Sequence, residues 1–148
     1  MRRVCCDETV CIGCHLCEVW CIVAHSKSGD ILKAFLYEKE RAIARVRVEE
    51  RGAVSFAVQC RHCEEPECVF ACISGALRKD FRKGVVLHDA SKCVGCFSCV
   101  LACPYGAIIP VEERGKVVKC DLCEGREMPI CVEKCPNEAL FIQESERE

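Results

Sequence analysis

The stretch Cys93-Val94-Gly95-Cys96-Phe97-Ser98-Cys99-Val100-Leu101-Ala102-Cys103-Pro104 decides the reading of this chain. Its spacing is C-x2-C-x2-C-x3-C-P. Looser forms recur three times along the 148 residues. Cys11, Cys14, Cys17 and Cys21 keep the same spacing, with Ile22 in place of the proline. Cys60, Cys63, Cys68 and Cys72 read C-x2-C-x4-C-x3-C, and Cys120, Cys123, Cys131 and Cys135 read C-x2-C-x7-C-x3-C-P. All but two of the 18 cysteines fall into these four groups.

Two chemistries use cysteine at this density, a disulfide framework and metal ligation. A disulfide framework needs export. Residues 1–30 carry neither an apolar signal core nor a small-residue cleavage site, and the charged Asp7-Glu8 soon follows Arg2-Arg3. The expectation is therefore a cytoplasmic protein with its thiolates on metal. Structural zinc usually takes two C-x2-C pairs separated by a longer spacer. Three consecutive cysteines at x2 spacing followed by x3-Cys-Pro instead make the run that holds a [4Fe–4S] cluster. In two-cluster proteins its fourth cysteine serves the neighbouring cluster. The x2 spacings let one loop wrap a cubane, and the helix that follows carries the fourth cysteine away. Gly13 suits a tight loop whose N–H groups point at a cluster sulfide.

One Trp, two Tyr and six Phe leave a thin conventional core, and the apolar fraction of 51% is inflated by cysteine. The formal charge of −2 counts every cysteine as a neutral thiol. Four thiolate-ligated clusters, each of net charge 2−, would move it to about −10. Arg61, Lys92, Lys119 and Lys134 stand near the cysteines and read as solvated charges that partly offset this. No run is long and apolar enough to span a bilayer, so direct membrane insertion is not expected. Nucleic acid is not an expected partner. There is no G-x-G-x-x-G and no P-loop. With four cysteines for every cubane, no iron is left open to substrate, and the chain is not expected to be an enzyme.

Residues 1–10 read as a strand leading into the first cysteine loop, with Cys5 and Cys6 as packed strand residues. Residues 17–25 favour a helix; His15 and His25 read as packing or surface residues, and His62 as a residue beside the ligands or at the surface. A helix is expected at 30–40, and a hairpin from Ala42–Glu50 and Ala53–Val58 across Arg51-Gly52. Pro66 predicts the start of a short helix carrying both Cys68 and Cys72. Residues 75–90 read as strand, turn, strand. Tyr105–Val111 follows the third group, and Ala139–Ile142 closes as a strand before a charged tail, Gln143–Glu148.

Three segments align as C-[PI]-x-x-A-[LI]: Cys72–Leu77, Cys103–Ile108 and Cys135–Leu140. Each is a helix end turning into a strand, so the repeating unit is a half-ferredoxin. In the order of its four groups the chain resembles the four-cluster ferredoxin-like electron-transfer subunits that partner molybdenum and tungsten oxidoreductases, formate- and hydrogen-linked complexes and carbon monoxide dehydrogenase. Cys21–Ser28, Gln59–Glu64 and Lys119–Cys123 resemble in particular the iron–sulfur subunit associated with carbon monoxide dehydrogenase. The small polyferredoxin subunits of tungsten aldehyde oxidoreductases are similar.

The resemblance implies an α+β fold of two pseudo-symmetric bacterial-ferredoxin-like units, with short helices, small antiparallel hairpins and four [4Fe–4S] clusters. An outer unit would comprise residues 1–54 plus 113–148, and an inner one residues 55–112. It implies that Cys11, Cys14 and Cys17 share a cluster with Cys135; Cys60, Cys63 and Cys68 with Cys103; Cys93, Cys96 and Cys99 with Cys72; and Cys120, Cys123 and Cys131 with Cys21. The implied function is to relay single electrons between a catalytic redox subunit and a second partner, such as a flavin NAD(P) oxidoreductase or a hydrogenase. The competing readings are a free soluble polyferredoxin and a zinc-structured interaction module. Residues 26–50 carry no cysteine, and residues 26–58 read as scaffold or docking surface.

Overall fold

A computed structural model describes residues 2–144. Its helices are short and its sheets are four separate two-stranded antiparallel pairs. The chain ends meet: β1 (Arg2–Cys6) pairs with β8 (Leu140–Glu144), with Val4 opposite Ile142 and Cys6 opposite Leu140. Leu16–His25 forms α1, and Ile31–Leu36 forms α2. The β2 (Val46–Arg51) and β3 (Val54–Gln59) hairpin turns at Gly52. The one-turn helix α3 (Glu67–Phe70) leads to β4 (Leu77–Asp80) and β5 (Val85–His88), which pair. After α4 (Ser98–Ala102), β6 (Ile108–Val111) pairs with β7 (Lys116–Lys119). The helix α5 (Ile130–Glu133) precedes β8 and packs on α1.

Several expectations change at the edges. The helix expected at 30–40 ends at Leu36, because Glu38 folds back: its carboxylate accepts from the Ser28 and Lys27 N–H groups. At its start, Asp30 caps it by accepting from Lys33 N at 2.9 Å. The strand expected from Ala42 begins at Val46, because Arg45 N–H leaves the ladder for Cys21 Sγ. Helix α3 stops at Phe70, so it carries Cys68 but not Cys72. Strand β7 is not among the sequence expectations, and Gln143 and Glu144 belong to β8 rather than to a tail. Residue 1 and the tail residues 145–148 lie outside the described residues.

Among the described residues no Phe, Tyr or Trp is fully buried, and only Phe97 packs half-buried against a core cluster. Cys17, Cys21, Cys60, Cys120 and Cys131 pack with Val4, Val46, Ala57 and Leu140 in one cluster, and Cys68 and Cys99 with Leu77, Val86 and Ile108 in another. Cysteine sulfur stands where a domain of this size would bury leucine and phenylalanine. Folding free energy must then come in part from whatever the sulfurs bind.

Candidate iron–sulfur sites

All four groups start with the same backbone device. The residue just before the second cysteine lies in the left-handed region: Gly13 at φ 65°, His62 at 50°, Gly95 at 72° and Leu122 at 56°. This bend turns consecutive N–H groups to one side of the loop, a concavity suited to an anion. Accordingly His62 N–H donates to Cys60 Sγ and Leu122 N–H to Cys120 Sγ, both at 3.4 Å. Leu77 N–H donates to Cys72 Sγ at 3.4 Å and Arg45 N–H to Cys21 Sγ at 3.1 Å. Glycine adopts this bend freely; His62 and Leu122 adopt it because both are buried and held by neighbours.

The C-[PI]-x-x-A-[LI] repeat has an equally regular geometry. Gly75, Gly106 and Glu138 all have positive φ, and each N–H returns to the carbonyl of Cys72, Cys103 or Cys135, at 3.2–3.3 Å. The alanine that follows (Ala76, Ala107 or Ala139) is buried in each case. The first group departs from this plan. With Ile22 in place of proline, α1 runs through Cys21 to His25.

The fold brings the cysteines together in mixed sets. Cys11, Cys14, Cys17 and Cys135 line one cavity. Cys60 and Cys103 act electrostatically on both Cys63 and Cys68. Cys72, Cys93 and Cys96 act on Cys99. Cys21, Cys120 and Cys123 act on Cys131. None of the 18 cysteines is in a disulfide. Burial pushes the Cys68 thiol up to about 11 and the Cys17 and Cys120 thiols up to about 12, and raises Cys131 further. At neutral pH such thiols keep their protons unless a bound cation displaces them. Four soft sulfur donors converging in an N–H-lined loop fit an iron–sulfur cluster.

Cys5 and Cys6 stay in β1, as the sequence suggests. Cys5 Sγ bonds Gln143, and Cys6 Sγ accepts from Ala57 N–H. His15 bridges Glu18 and Glu50 at the surface. His25 lies beside the fourth group, its Nε2 3.1 Å from Asp121.

Of the two readings open for His62 the structure takes the one beside the ligands, while Lys119 departs from its reading. His62 is fully buried; its Nδ1 accepts from Val86 N–H, so the proton sits on Nε2. Burial, then Lys119 and Lys79, push its pKa down to about 3. Lys119, read as a solvated charge, is 3% exposed. Of the other basic residues, Arg61 stacks on Tyr105, Lys134 on Trp20, and Lys92 is exposed near Asp89. Sequence reasoning also passed over Arg45 and Asp121. Their ion pair spans 76 residues, which no local pattern reveals.

Residues 52–145 match the family described as the 4Fe-4S dicluster domain. The chain belongs to that family. It is 38% identical to the putative electron transport protein YsaA of Escherichia coli K12, over 99% of this chain and 92% of that one. It is 36% identical to the electron transport protein HydN of the same strain, over 95% and 86%. Among solved structures it resembles a chain of the active site complex BamBC of benzoyl coenzyme A reductase, with a TM-score of 0.57 and 25% identity. That match covers 100% of this chain and 80% of the other. With its sulfur-lined loops, the chain is an electron-transfer iron–sulfur protein. Among the described residues no helix is long and apolar enough to cross a membrane.

Proposed function

We propose that this protein is the electron-relay subunit of an oxidoreductase complex, holding four [4Fe–4S] clusters in a row. The observation that supports this is that cysteines of different groups meet: Cys135 lines a cavity with Cys11, Cys14 and Cys17, and Cys103, Cys72 and Cys21 each act on cysteines of another group. The ligand sets follow: Cys11, Cys14, Cys17 with Cys135; Cys60, Cys63, Cys68 with Cys103; Cys93, Cys96, Cys99 with Cys72; and Cys120, Cys123, Cys131 with Cys21. Residues 1–54 with 113–148 then form the outer unit, and residues 55–112 the inner one. The two are pseudo-symmetric, and the β2–β3 and β6–β7 hairpins connect them.

When bound, each cluster supplies reversible one-electron storage. The chain supplies the order and the insulation. Cys131 feels Cys17, which joins the first group to the fourth. Cys120 feels Cys60, which joins the fourth to the second. Cys68 and Cys72 sit on either side of the end of α3 and join the second to the third. The path therefore runs first, fourth, second, third. Of its two middle sets the fourth is buried at all four cysteines and the second at Cys60 and Cys68, with none exposed, whereas Cys14 and Cys96, one in each end set, are exposed. Electrons enter and leave at those ends.

The catalytic partner at one end is of the carbon monoxide dehydrogenase or aldehyde oxidoreductase kind, and a flavin NAD(P) oxidoreductase or hydrogenase takes the other. The likeness to a chain of an active site complex favours a bound subunit over a free polyferredoxin. The test is native purification with identification of co-purifying proteins, together with iron and sulfide analysis. About 16 irons per chain, bleaching on dithionite and a larger catalytic partner are expected. A colourless protein holding about four zinc ions would sink the reading.

A further inference from the structure

Lys119 is the sole buried lysine or arginine among the described residues. Its ammonium donates to Val86 O at 2.5 Å and to Cys120 O at 2.6 Å. Both acceptors are neutral carbonyls, and it forms no salt bridge with a carboxylate among the described residues. Val86 in turn donates its N–H to His62 Nδ1 at 3.0 Å. Residue 86 thus links the Cys60–Cys63 loop to the Cys120–Cys123 loop, with Lys119 between them. The charge is felt on both sides: burial raises the Cys68 and Cys120 thiols, and Lys119 acts on each in the opposite direction.

A buried ammonium without a counter-charge is strongly disfavoured. Its anionic partners here are the thiolate-ligated groups on its two sides. A fixed positive charge stabilises the more negative, reduced form of each neighbour, and in a low-dielectric interior its influence is weakly screened.

We propose that Lys119 sets the reduction potential of the central step of the relay, between the second and fourth cysteine groups. This rests on the four-cluster reading above. The lysine holds both middle positions at a higher potential than the same sites would have without it, so an electron arriving from either end is drawn to the middle of the row.

The experiment is an EPR-monitored redox titration of the full-length, cluster-loaded protein and three variants, with iron content measured on each. Lys119→Met at wild-type iron content shifts the midpoints of two of the four clusters to lower potential and leaves the other two in place. Lys119→Arg keeps wild-type midpoints. Lys92→Met removes an exposed, solvent-screened charge next to Cys93 and moves nothing. Unchanged midpoints in fully loaded Lys119→Met overturn the proposal, as does an equal shift in Lys119→Arg. If Lys119→Met fails to take up iron, uptake by Lys119→Arg supports the need for charge. Failure of both shows that the site requires lysine's shape instead, and the proposal falls. A wild-type protein with iron for fewer than four clusters refutes the four-cluster reading itself, a result separable from any effect of the substitutions.

Discussion

His25 Nε2 lies 3.1 Å from Asp121 Oδ1, across 96 residues of chain. The other Asp121 oxygen takes the Arg45 guanidinium, and His25 Nδ1 faces the Cys21 carbonyl at 2.8 Å. Both ring nitrogens therefore donate. Burial works against the charged ring, but the hydrogen bonds to Asp121 and Cys21 outweigh it and raise the His25 pKa to about 9. The folded state binds its proton more tightly than the unfolded chain does. The resulting stability is complete below about pH 6.5 and is lost as pH rises through 9. Asp121→Asn removes the anion that holds both cations. With these side chains 13–26% exposed, the expected cost is about 2 kcal/mol at neutral pH. Denaturant melts at pH 6.5 and pH 9 check both points: the wild type weakens between them, and the variant changes much less.

Gly95 and Gly75 both have positive φ, but only one is crowded. A Cβ on Gly95 would lie 2.3 Å from the Gly115 carbonyl oxygen, in the turn between β6 and β7, while one on Gly75 would meet nothing. Gly75→Ala then costs only left-handed strain, about 1 kcal/mol. Gly95→Ala adds a backbone clash that no side-chain movement relieves, for a total of about 3 kcal/mol. Thermal melts and iron content on the two variants separate them: Gly75→Ala loads fully, and Gly95→Ala loses the cluster at Cys93, Cys96 and Cys99.

What could be read from the sequence was what depends on near neighbours. The four cysteine groups, the Gly52 hairpin turn and the alanine repeat are local patterns, and each has a matching local geometry. Strand β7 was missed because Lys116-Val117-Val118-Lys119 is a four-residue run whose partner is β6, with no strong turn signal between them apart from Gly115. The burial of His62 and Lys119 was illegible for a different reason. Each bonds to Val86, His62 through Nδ1 from 24 residues away and Lys119 through its ammonium from 33, and no local pattern marks such a partner. In Leu122 the left-handed bend is hidden because nothing but its place in the repeat marks it, whereas Gly13 announces it.

Glu138 occupies the position held by Gly75 and Gly106 in the other two repeats, and carries the same positive φ, 54°. A side chain there bears left-handed strain of about 1–2 kcal/mol. Glycine removes the strain but makes the unfolded chain more flexible, at a cost of about 0.4–1 kcal/mol. The Glu138 side chain is exposed and forms no ion pair among the described residues that this change would break. Glu138→Gly is therefore expected to raise stability by about 0.5 kcal/mol and Tm by a few degrees. Calorimetry on the loaded protein measures it, and a lower Tm would show that strain is not the dominant factor.

Cys135 tests the exchange of ligands between distant groups most directly. It follows α5 in sequence, beside Cys131, yet lines a cavity with Cys11, Cys14 and Cys17. If it serves that set, Cys135→Ser weakens the first cluster and spares the one held by Cys120, Cys123, Cys131 and Cys21. Serine is nearly isosteric, and Cys135 is only partly buried, so the fold should survive. Iron content is expected to fall by about a quarter, with loss or change of one reduced-state EPR signal. Because β1 and β8 pair beside this cavity, the terminal strands should also become easier to open. Hydrogen exchange at Val4 and Ile142 would report that. Unchanged iron and EPR signals in Cys135→Ser would show that each group completes its own site.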